Sequence, residues 1–125
     1  MARWNVILLT EVEHWYLELC RRDPGAAAKV EQAIELLAEE GPTLGRPFVD
    51  KIAGSQLHKL KELRPTRSGS HIRILFVFDP ARQAILLVAG DKAQGWRRWY
   101  DVSIRIAEHR YAAWLSSQEK GIGDD

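Results

Sequence analysis

The sequence predicts an α+β fold in which a helical hairpin packs on one face of a small antiparallel sheet. Two amphipathic helical segments follow a single apolar strand, and three strand segments come later in the chain. Because runs of helix are separate from runs of strand, the pattern favours α+β over an alternating α/β fold. A last helix completes the order β-α-α-β-β-β-α. The 125 residues suffice for one compact core, so we predict a single domain over residues 1–118 and a disordered tail over 119–125.

The first part of the chain supplies one strand and the two helices. Residues 3–9 are almost continuously apolar, which indicates a buried strand. Thr10 starts a capping-box pattern, so a helix is predicted over residues 11–21. An aspartate–proline pair at 23–24 begins the second helix, because aspartate caps the first turn and proline suits the first helical position. A glycine–proline pair at 41–42 ends it.

The later part supplies the sheet. A long connection over residues 41–56 holds three glycines and two prolines. Residues 57–63 alternate in polarity, residues 71–78 alternate again, and residues 83–89 are apolar enough for a fully buried strand. The short turns between these segments predict an antiparallel meander. A final helix is predicted between residues 103 and 118 from its apolar stripe.

Charge is unevenly distributed, although the formal net charge is only +1. Residues 1–57 hold 6 basic and 9 acidic side chains, residues 58–110 hold 11 and 5, and residues 111–125 hold 1 and 3. The positive charge is therefore concentrated in one segment, which can act as a local patch for a polyanion. A basic face that is merely solvated is the alternative interpretation.

Composition also excludes several classes of protein. Cys20 is the only cysteine, so neither an internal disulfide nor a cysteine-based zinc site is available. No apolar run is long enough to span a membrane, and the N-terminus lacks the order of a signal peptide. Asp79, Asp91 and Asp101 are scattered, whereas a metal needs its carboxylates gathered together. We therefore predict a cytoplasmic protein with no metal, no cofactor and no contact with membranes.

The basic segment has an internal pattern. If residues 57–63 form a strand, Lys59 and Lys61 point to the same face. Arg73 lies on the next strand, and the intervening turn can bring it beside the two lysines. Neighbouring positive charges lower the pKa of a lysine, which makes it a better base near neutral pH. The pattern thus predicts a cationic face on the sheet, opposite the face that the helical hairpin covers.

Four short segments resemble the RelE/ParE superfamily of bacterial type II toxins, and its HigB-like, phage-derived branch in particular. They are residues 45–47 (GRP), 59–64 (KLKELR), 72–76 (IRILF) and 86–92 (LLVAGDK). The resemblance covers about residues 4–115. It implies an mRNA endonuclease associated with the ribosome. It also implies a cognate antitoxin, usually a helix-turn-helix protein encoded next to the toxin.

The resemblance implies roles for individual residues. Lys59 and Lys61 match the paired lysines of the RNA-facing strand. Arg73 matches the arginine of the next strand, and Lys92 a basic residue after the last central strand. Attack by an RNA 2′-hydroxyl needs a base, an acid and positive charge on the phosphate, but no metal. We therefore predict that one lysine is the base, that Arg73 stabilises the phosphate, and that Lys92 assists or supplies the acid.

A second set of residues is predicted to bind RNA. Arg64 and Arg67, near a turn, are either phosphate contacts or ordinary exposed residues. Some relatives carry a catalytic histidine near the C-terminal strand; this sequence has no histidine between His71 and His109, and His71 is the candidate substitute. Tyr100, or less favourably Trp99, matches a late aromatic that stacks on a base; a partly buried anchor is the other interpretation of Trp99.

Two other functions stay open. A ParE-like protein of the same fold inhibits DNA gyrase without catalysis, although it would not need the basic set of residues. A catalytically inactive member could bind RNA or a protein partner without cleaving anything. The low net charge is compatible with this second alternative, because strong RNA-binding proteins are often more basic.

Overall fold

A computed structural model describes the chain over residues 3–57, 59–65, 71–93 and 95–123. Strands and helices follow the predicted order, with one additional short strand and a 3₁₀ turn. The elements are β1 (Asn5–Leu8), α1 (Thr10–Arg22), α2 (Pro24–Glu40), the 3₁₀ turn (Gly41–Thr43), β2 (Val49–Lys51), β3 (Lys61–Leu63), β4 (Ile72–Asp79), β5 (Gln83–Asp91) and α3 (Trp96–Gly123).

The strands form one five-stranded sheet in the order β1-β5-β4-β3-β2. The α+β class, the helical hairpin and the C-terminal helix are confirmed. The sheet is mixed and not antiparallel throughout, because β1 runs parallel to β5. The helical hairpin and three strands lie between β1 and β5 in the chain. Because no tight turn joins β1 to β5, the two strands can pair in parallel. The extra strand β2 comes from the long connection and pairs with β3.

The helix ends differ from the prediction in two places. α1 has Leu9 at its N-cap and no side-chain cap hydrogen bond, so the capping box expected from Thr10 does not form. α2 begins as predicted, since the Asp23 carboxylate accepts a hydrogen bond from the backbone N–H of Ala26 at 3.1 Å. α3 begins at Trp96 and continues to Gly123, through most of the segment 119–125 predicted as a disordered tail.

Each face of the sheet carries its own core. The hairpin face, which α1 and α2 cover, buries Leu63, Ile74, Phe76 and Leu86. The α3 face, which α3 covers, buries Leu60, Leu75, Val77, Ile85, Leu87 and Tyr111. The odd and even positions of β4 therefore separate as the alternation predicts.

A β-bulge changes this alternation within β5. The register with β4 shifts between Leu75 and Phe76, which pair with Val88 and Leu86. Leu87 is thus the extra residue, and both Leu87 and Val88 face α3. The next residues of β5 consequently point to the faces opposite to those expected from continuous alternation.

Candidate functional site

A buried carboxylate lies within a polar cluster on the α3 face. Glu62 is only 4% exposed and is the middle residue of β3. Its neighbour Leu63 belongs to the hairpin face, so the alternation of the strand directs Glu62 towards α3. The Tyr100 hydroxyl, from α3, donates a hydrogen bond to Glu62 Oε1 at 2.5 Å. Because a buried charge is costly unless it is paired, the surroundings of Glu62 define the candidate site.

Two arginines pair with this carboxylate. Arg64 Nη2 donates to Glu62 Oε2 at 2.9 Å and also to Asp50 Oδ2 at 3.3 Å. Arg73 Nε lies 3.6 Å from Glu62 Oε1, and the Arg73 side chain is only 13% exposed. Glu62 therefore holds guanidinium groups from two different parts of the sheet in one place.

The bulge in β5 brings a lysine to the same cluster. Arg73 pairs with Gly90 in the register of β4 and β5, so Gly90 lies on the α3 face. Lys92 follows two residues later, and its Nζ lies 5.6 Å from the centre of the Tyr100 ring. Burial and the positive charge of Arg73 lower the pKa of Lys92, and Glu62 opposes this effect. The pKa of Lys92 therefore lies below that of an ordinary lysine.

The site carries an excess of positive charge. Arg64, Arg73 and Lys92 surround the one buried carboxylate of Glu62 within the described part of the chain. Burial and the hydrogen bond to Glu62 raise the pKa of Tyr100 to about 12, so its hydroxyl remains a donor at neutral pH. Such a set of donors and cations suits an anion, and a phosphate group in particular.

A second carboxylate connects this cluster to the loop before β2. Arg46 Nη2 lies 3.2 Å from Asp50 Oδ2, the same oxygen that Arg64 contacts. The backbone N–H of Lys51 lowers the pKa of Asp50, and the charge of Arg46 acts in the same direction against the effect of burial. Asp50 therefore stays ionised, and it contacts the same Arg64 nitrogen, Nη2, as Glu62.

The structure separates the two lysines that the sequence predicts on one face. The backbone N–H of Leu60 donates to the carbonyl oxygen of Leu57 at 3.0 Å, so the chain turns before β3 begins at Lys61. Lys61 Nζ lies 5.3 Å from the ring centre of Phe78, a residue of the hairpin face. The prediction that Lys61 shares a face with Lys59 is therefore wrong, because a turn interrupts the strand on which it depends.

Lys59 lies on the α3 face, but at another point along it. Its Nζ is 5.9 Å from the ring centre of Tyr111. Tyr111 and Tyr100 are eleven residues apart in α3, which corresponds to about 16 Å along the helix axis. The structure therefore does not bring Lys59 into the cluster of Arg73 and Lys92.

The residues predicted to bind RNA have different surroundings. Arg64 and Tyr100 belong to the cluster, whereas Arg67 lies outside the described residues. His71 is exposed, and its carbonyl oxygen accepts a hydrogen bond from the backbone N–H of Lys92 at 3.0 Å. Trp99 packs on Gly90, where an added Cβ would come within 2.7 Å of the indole nitrogen. Trp99 thus anchors α3 to β5.

Sequence reasoning missed the central position of Glu62. Glu62 is the only acidic residue among the basic side chains of residues 57–73, and this isolation could have indicated its central position. Asp50 was missed because it lies in the long connection, where no pattern links it to Arg64.

The described residues contain neither a cluster of metal ligands nor a helix that could span a membrane. Within them, no group of three or more histidine, cysteine, aspartate or glutamate residues could hold a metal ion. None of the described helices combines the length and the apolar character that crossing a membrane requires.

Comparison with known proteins identifies the family. The profile of the family described as "Phage derived protein Gp49-like" matches residues 18–112. The chain belongs to this Gp49-like family. It is 58% identical over 116 residues to the Mycobacterium tuberculosis protein named "Putative toxin HigB3", which covers 93% of this chain and 97% of that protein. It is 54% identical over 88 residues to "Putative toxin HigB2" of the same organism, which covers 70% of this chain but only 44% of that protein.

A solved structure shares the fold of this Gp49-like chain. The YoeB dimer from Staphylococcus aureus superposes with a TM-score of 0.55 at 16% sequence identity, covering 68% of this chain and 92% of that chain. Together, the family match and the two HigB relatives confirm the predicted likeness to HigB-like, phage-derived proteins, and the YoeB structure shows that the fold is shared.

Proposed function

We propose that the chain is the toxin of a type II toxin–antitoxin pair and that it cleaves mRNA at the ribosome without a metal ion. The names of its relatives support the toxin assignment. The observation that carries the enzymatic part is the convergence of Arg64, Arg73 and Lys92 on the buried carboxylate of Glu62. The guanidinium and ammonium groups supply the positive charge that a metal ion would otherwise bring to the phosphate.

The proposed reaction is an attack of an RNA 2′-hydroxyl on the adjacent phosphorus. The 2′-oxygen forms the new bond and the bond to the 5′-oxygen breaks, which leaves a 2′,3′-cyclic phosphate and a free 5′-hydroxyl. Glu62 accepts the proton of the 2′-hydroxyl, and Lys92 donates a proton to the 5′-oxygen. Arg73 and Arg64 stabilise the negative charge on the phosphorus oxygens. This assignment replaces the prediction that Lys59 or Lys61 is the base, because Lys61 lies on the opposite face of the sheet and Lys59 lies beside Tyr111, outside the cluster.

The proposal includes a partner protein. A toxin of this kind requires a cognate antitoxin, and the sequence resemblance implies a helix-turn-helix protein encoded adjacently. Co-expression of that neighbouring gene should abolish the growth arrest caused by the toxin alone. Rescue by an unrelated small protein would contradict a specific pairing.

Cleavage of a labelled mRNA in a reconstituted translation reaction tests the enzymatic part. Arg73→Ala and Lys92→Ala should each lower the cleavage rate by about 100-fold or more, the effect of removing one group that stabilises a transition-state charge. Lys61→Ala is the matched control on the other face of the sheet. It should stay within about fivefold of the wild type, as expected for a surface charge. Thermal melting of each variant shows whether a loss of rate reflects unfolding.

Other outcomes of the same experiment favour the alternatives. Full activity of both Arg73→Ala and Lys92→Ala would refute the assigned site. Intact mRNA together with loss of plasmid supercoiling would support gyrase inhibition. RNA binding without cleavage would support a binding module.

A further inference from the structure

Trp96 differs from the other tryptophans of the chain. All five tryptophans lie within the described residues, and four of them are partly buried, whereas Trp96 is 54% exposed. The guanidinium of Arg97 lies 5.3 Å from the centre of its ring. Tryptophan is enriched at binding interfaces because its ring is apolar and its N–H can still meet a polar partner, so this exposed indole is a candidate contact residue.

Trp96 lies in the wall of a cleft of about 350 Å³. Ile52 and Ala53, from the segment after β2, line one part of this Trp96 cleft, and Asp101 of α3 lines another. The cleft is therefore bounded by apolar side chains, two aromatic rings, the carboxylate of Asp101 and the guanidinium of Arg97. Small-molecule sites are commonly of this size and combine apolar walls with a few polar groups.

Tyr100 connects the Trp96 cleft with the cationic cluster. Its ring lines the cleft, and its ring centre lies 6.3 Å from that of Trp96. Its hydroxyl donates the hydrogen bond to Glu62. One side chain thus contributes to both places, so a ligand with a phosphate in the cluster can extend into the cleft.

The side chains that line the Trp96 cleft indicate which part of an RNA ligand, and which nucleobase, would fit there. Aromatic rings and guanidinium groups stack on the faces of unpaired nucleobases. Asp101 is exposed, and an ionised carboxylate accepts hydrogen bonds but cannot donate them. Guanine presents two adjacent N–H donors, at N1 and N2, that match the two oxygens of a carboxylate. Uracil presents only one such donor.

We propose that the Trp96 cleft binds a guanine base of the single-stranded RNA whose phosphate occupies the cationic cluster. Trp96 stacks on the base and Asp101 accepts hydrogen bonds from its N1–H and N2–H groups. This inference rests on the proposed function, since it takes the phosphate site as given. It adds a base preference and two residues outside the set that the sequence predicted.

Binding and cleavage must be measured separately to test the inference. Equilibrium binding of 2′-O-methyl tetranucleotides, which lack the attacking hydroxyl, reports on the cleft without any reaction. The wild type should bind a tetranucleotide that contains guanine about tenfold more tightly than one with uracil at the same position, within the discrimination that one bidentate base contact provides. Trp96→Ala should lose about tenfold in affinity for the guanine probe. Asp101→Asn should reduce the ratio of guanine to uracil affinity.

Leu115→Ala is the matched control, because Leu115 is 43% exposed on the same helix but 19 residues beyond Trp96. It should leave binding of both probes unchanged. Equal affinity of the wild type for the two probes, or unchanged guanine binding by Trp96→Ala, would overturn the inference. A Trp96→Ala variant that binds RNA normally but no longer binds the antitoxin would also overturn it, in favour of a protein-docking surface.

Failure of the proposed function gives a different result. If the wild type discriminates between the probes but cleaves no mRNA, the guanine site is supported and the nuclease assignment is refuted. If mRNA is cleaved with no dependence on Trp96 or on a guanine near the cleavage site, the nuclease assignment is supported and the guanine site is refuted.

Discussion

The two faces of the sheet are built by the same strands but bury different chemistry. On the hairpin face, Leu63, Ile74 and Phe76 are completely buried beneath two helices. On the α3 face, Leu75 is equally buried, but the adjoining positions are Glu62 and Arg73. The first face is a packed apolar core, whereas the second combines a core with a network of charges.

This difference identifies the α3 face as the place where residues proposed to serve function lower the stability of the fold. Burying a carboxylate and a guanidinium lowers stability unless both are paired, and apolar residues in their place would pack at less cost. A single helix covers this face, and its first turns provide Tyr100 and the exposed Trp96. Substitutions on the hairpin face should therefore change stability alone, whereas substitutions on the α3 face should change both stability and activity.

The largest effect is expected on the hairpin face. Phe76→Ala should lower the free energy of unfolding by about 3–5 kcal/mol, since it removes a fully buried aromatic ring and leaves a cavity. Chemical denaturation monitored by circular dichroism measures the change. Activity per folded molecule should stay normal at low temperature, and a folded but inactive variant would contradict the separation of the two faces.

Glu62→Ala should have the next largest effect, because it leaves the cations of the cluster without their buried carboxylate. Removing one partner of a buried ion pair costs about 3 kcal/mol. Glu62→Gln keeps the shape and can still accept the hydrogen bond from Tyr100, so it should lose less stability. Both variants should lose cleavage, measured under conditions where each is folded. If Glu62→Gln cleaves normally, Glu62 is a structural residue and not the base.

Lys92→Arg tests whether the α3 face supplies a proton or only a charge. Arginine keeps the positive charge but stays protonated, so it binds the phosphate without donating a proton. We expect a kcat reduced by about 100-fold with a nearly unchanged KM. In the wild type, kcat should fall with rising pH as Lys92 loses its proton, at a pH below that of an ordinary lysine. A normal kcat for Lys92→Arg would leave only an electrostatic role.

The smallest effect concerns the Tyr100 hydroxyl. Its pKa of about 12 lies above the unfolded value of 10.0, so its contribution to stability is fully present below pH 10 and disappears as the pH rises through 12. Tyr100→Phe should therefore lower stability by about 1 kcal/mol at pH 8, the size of one hydrogen bond. The difference from the wild type should shrink above pH 10 in urea titrations. A difference that does not depend on pH would contradict the assigned hydrogen bond.

Much of the architecture was predictable from local patterns. The helical hairpin and the strands β4 and β5 follow from periodicity, which is a property of consecutive residues. The same alternation correctly places Arg73 on the face opposite Ile74 and Phe76. The position of Arg73 relative to the core is therefore determined by the sequence alone.

The assembly of the site was decided only by the tertiary structure. The turn between Leu57 and Leu60 breaks the alternation that joined Lys59 to Lys61, and the bulge in β5 places Lys92 on the α3 face. A shift of one residue reverses the face of every later side chain, and no local pattern signals it. The amino-acid sequence thus determines which residues carry charge, whereas the turn, the bulge and the packing of α3 determine that Glu62, Arg73, Lys92 and Tyr100 meet.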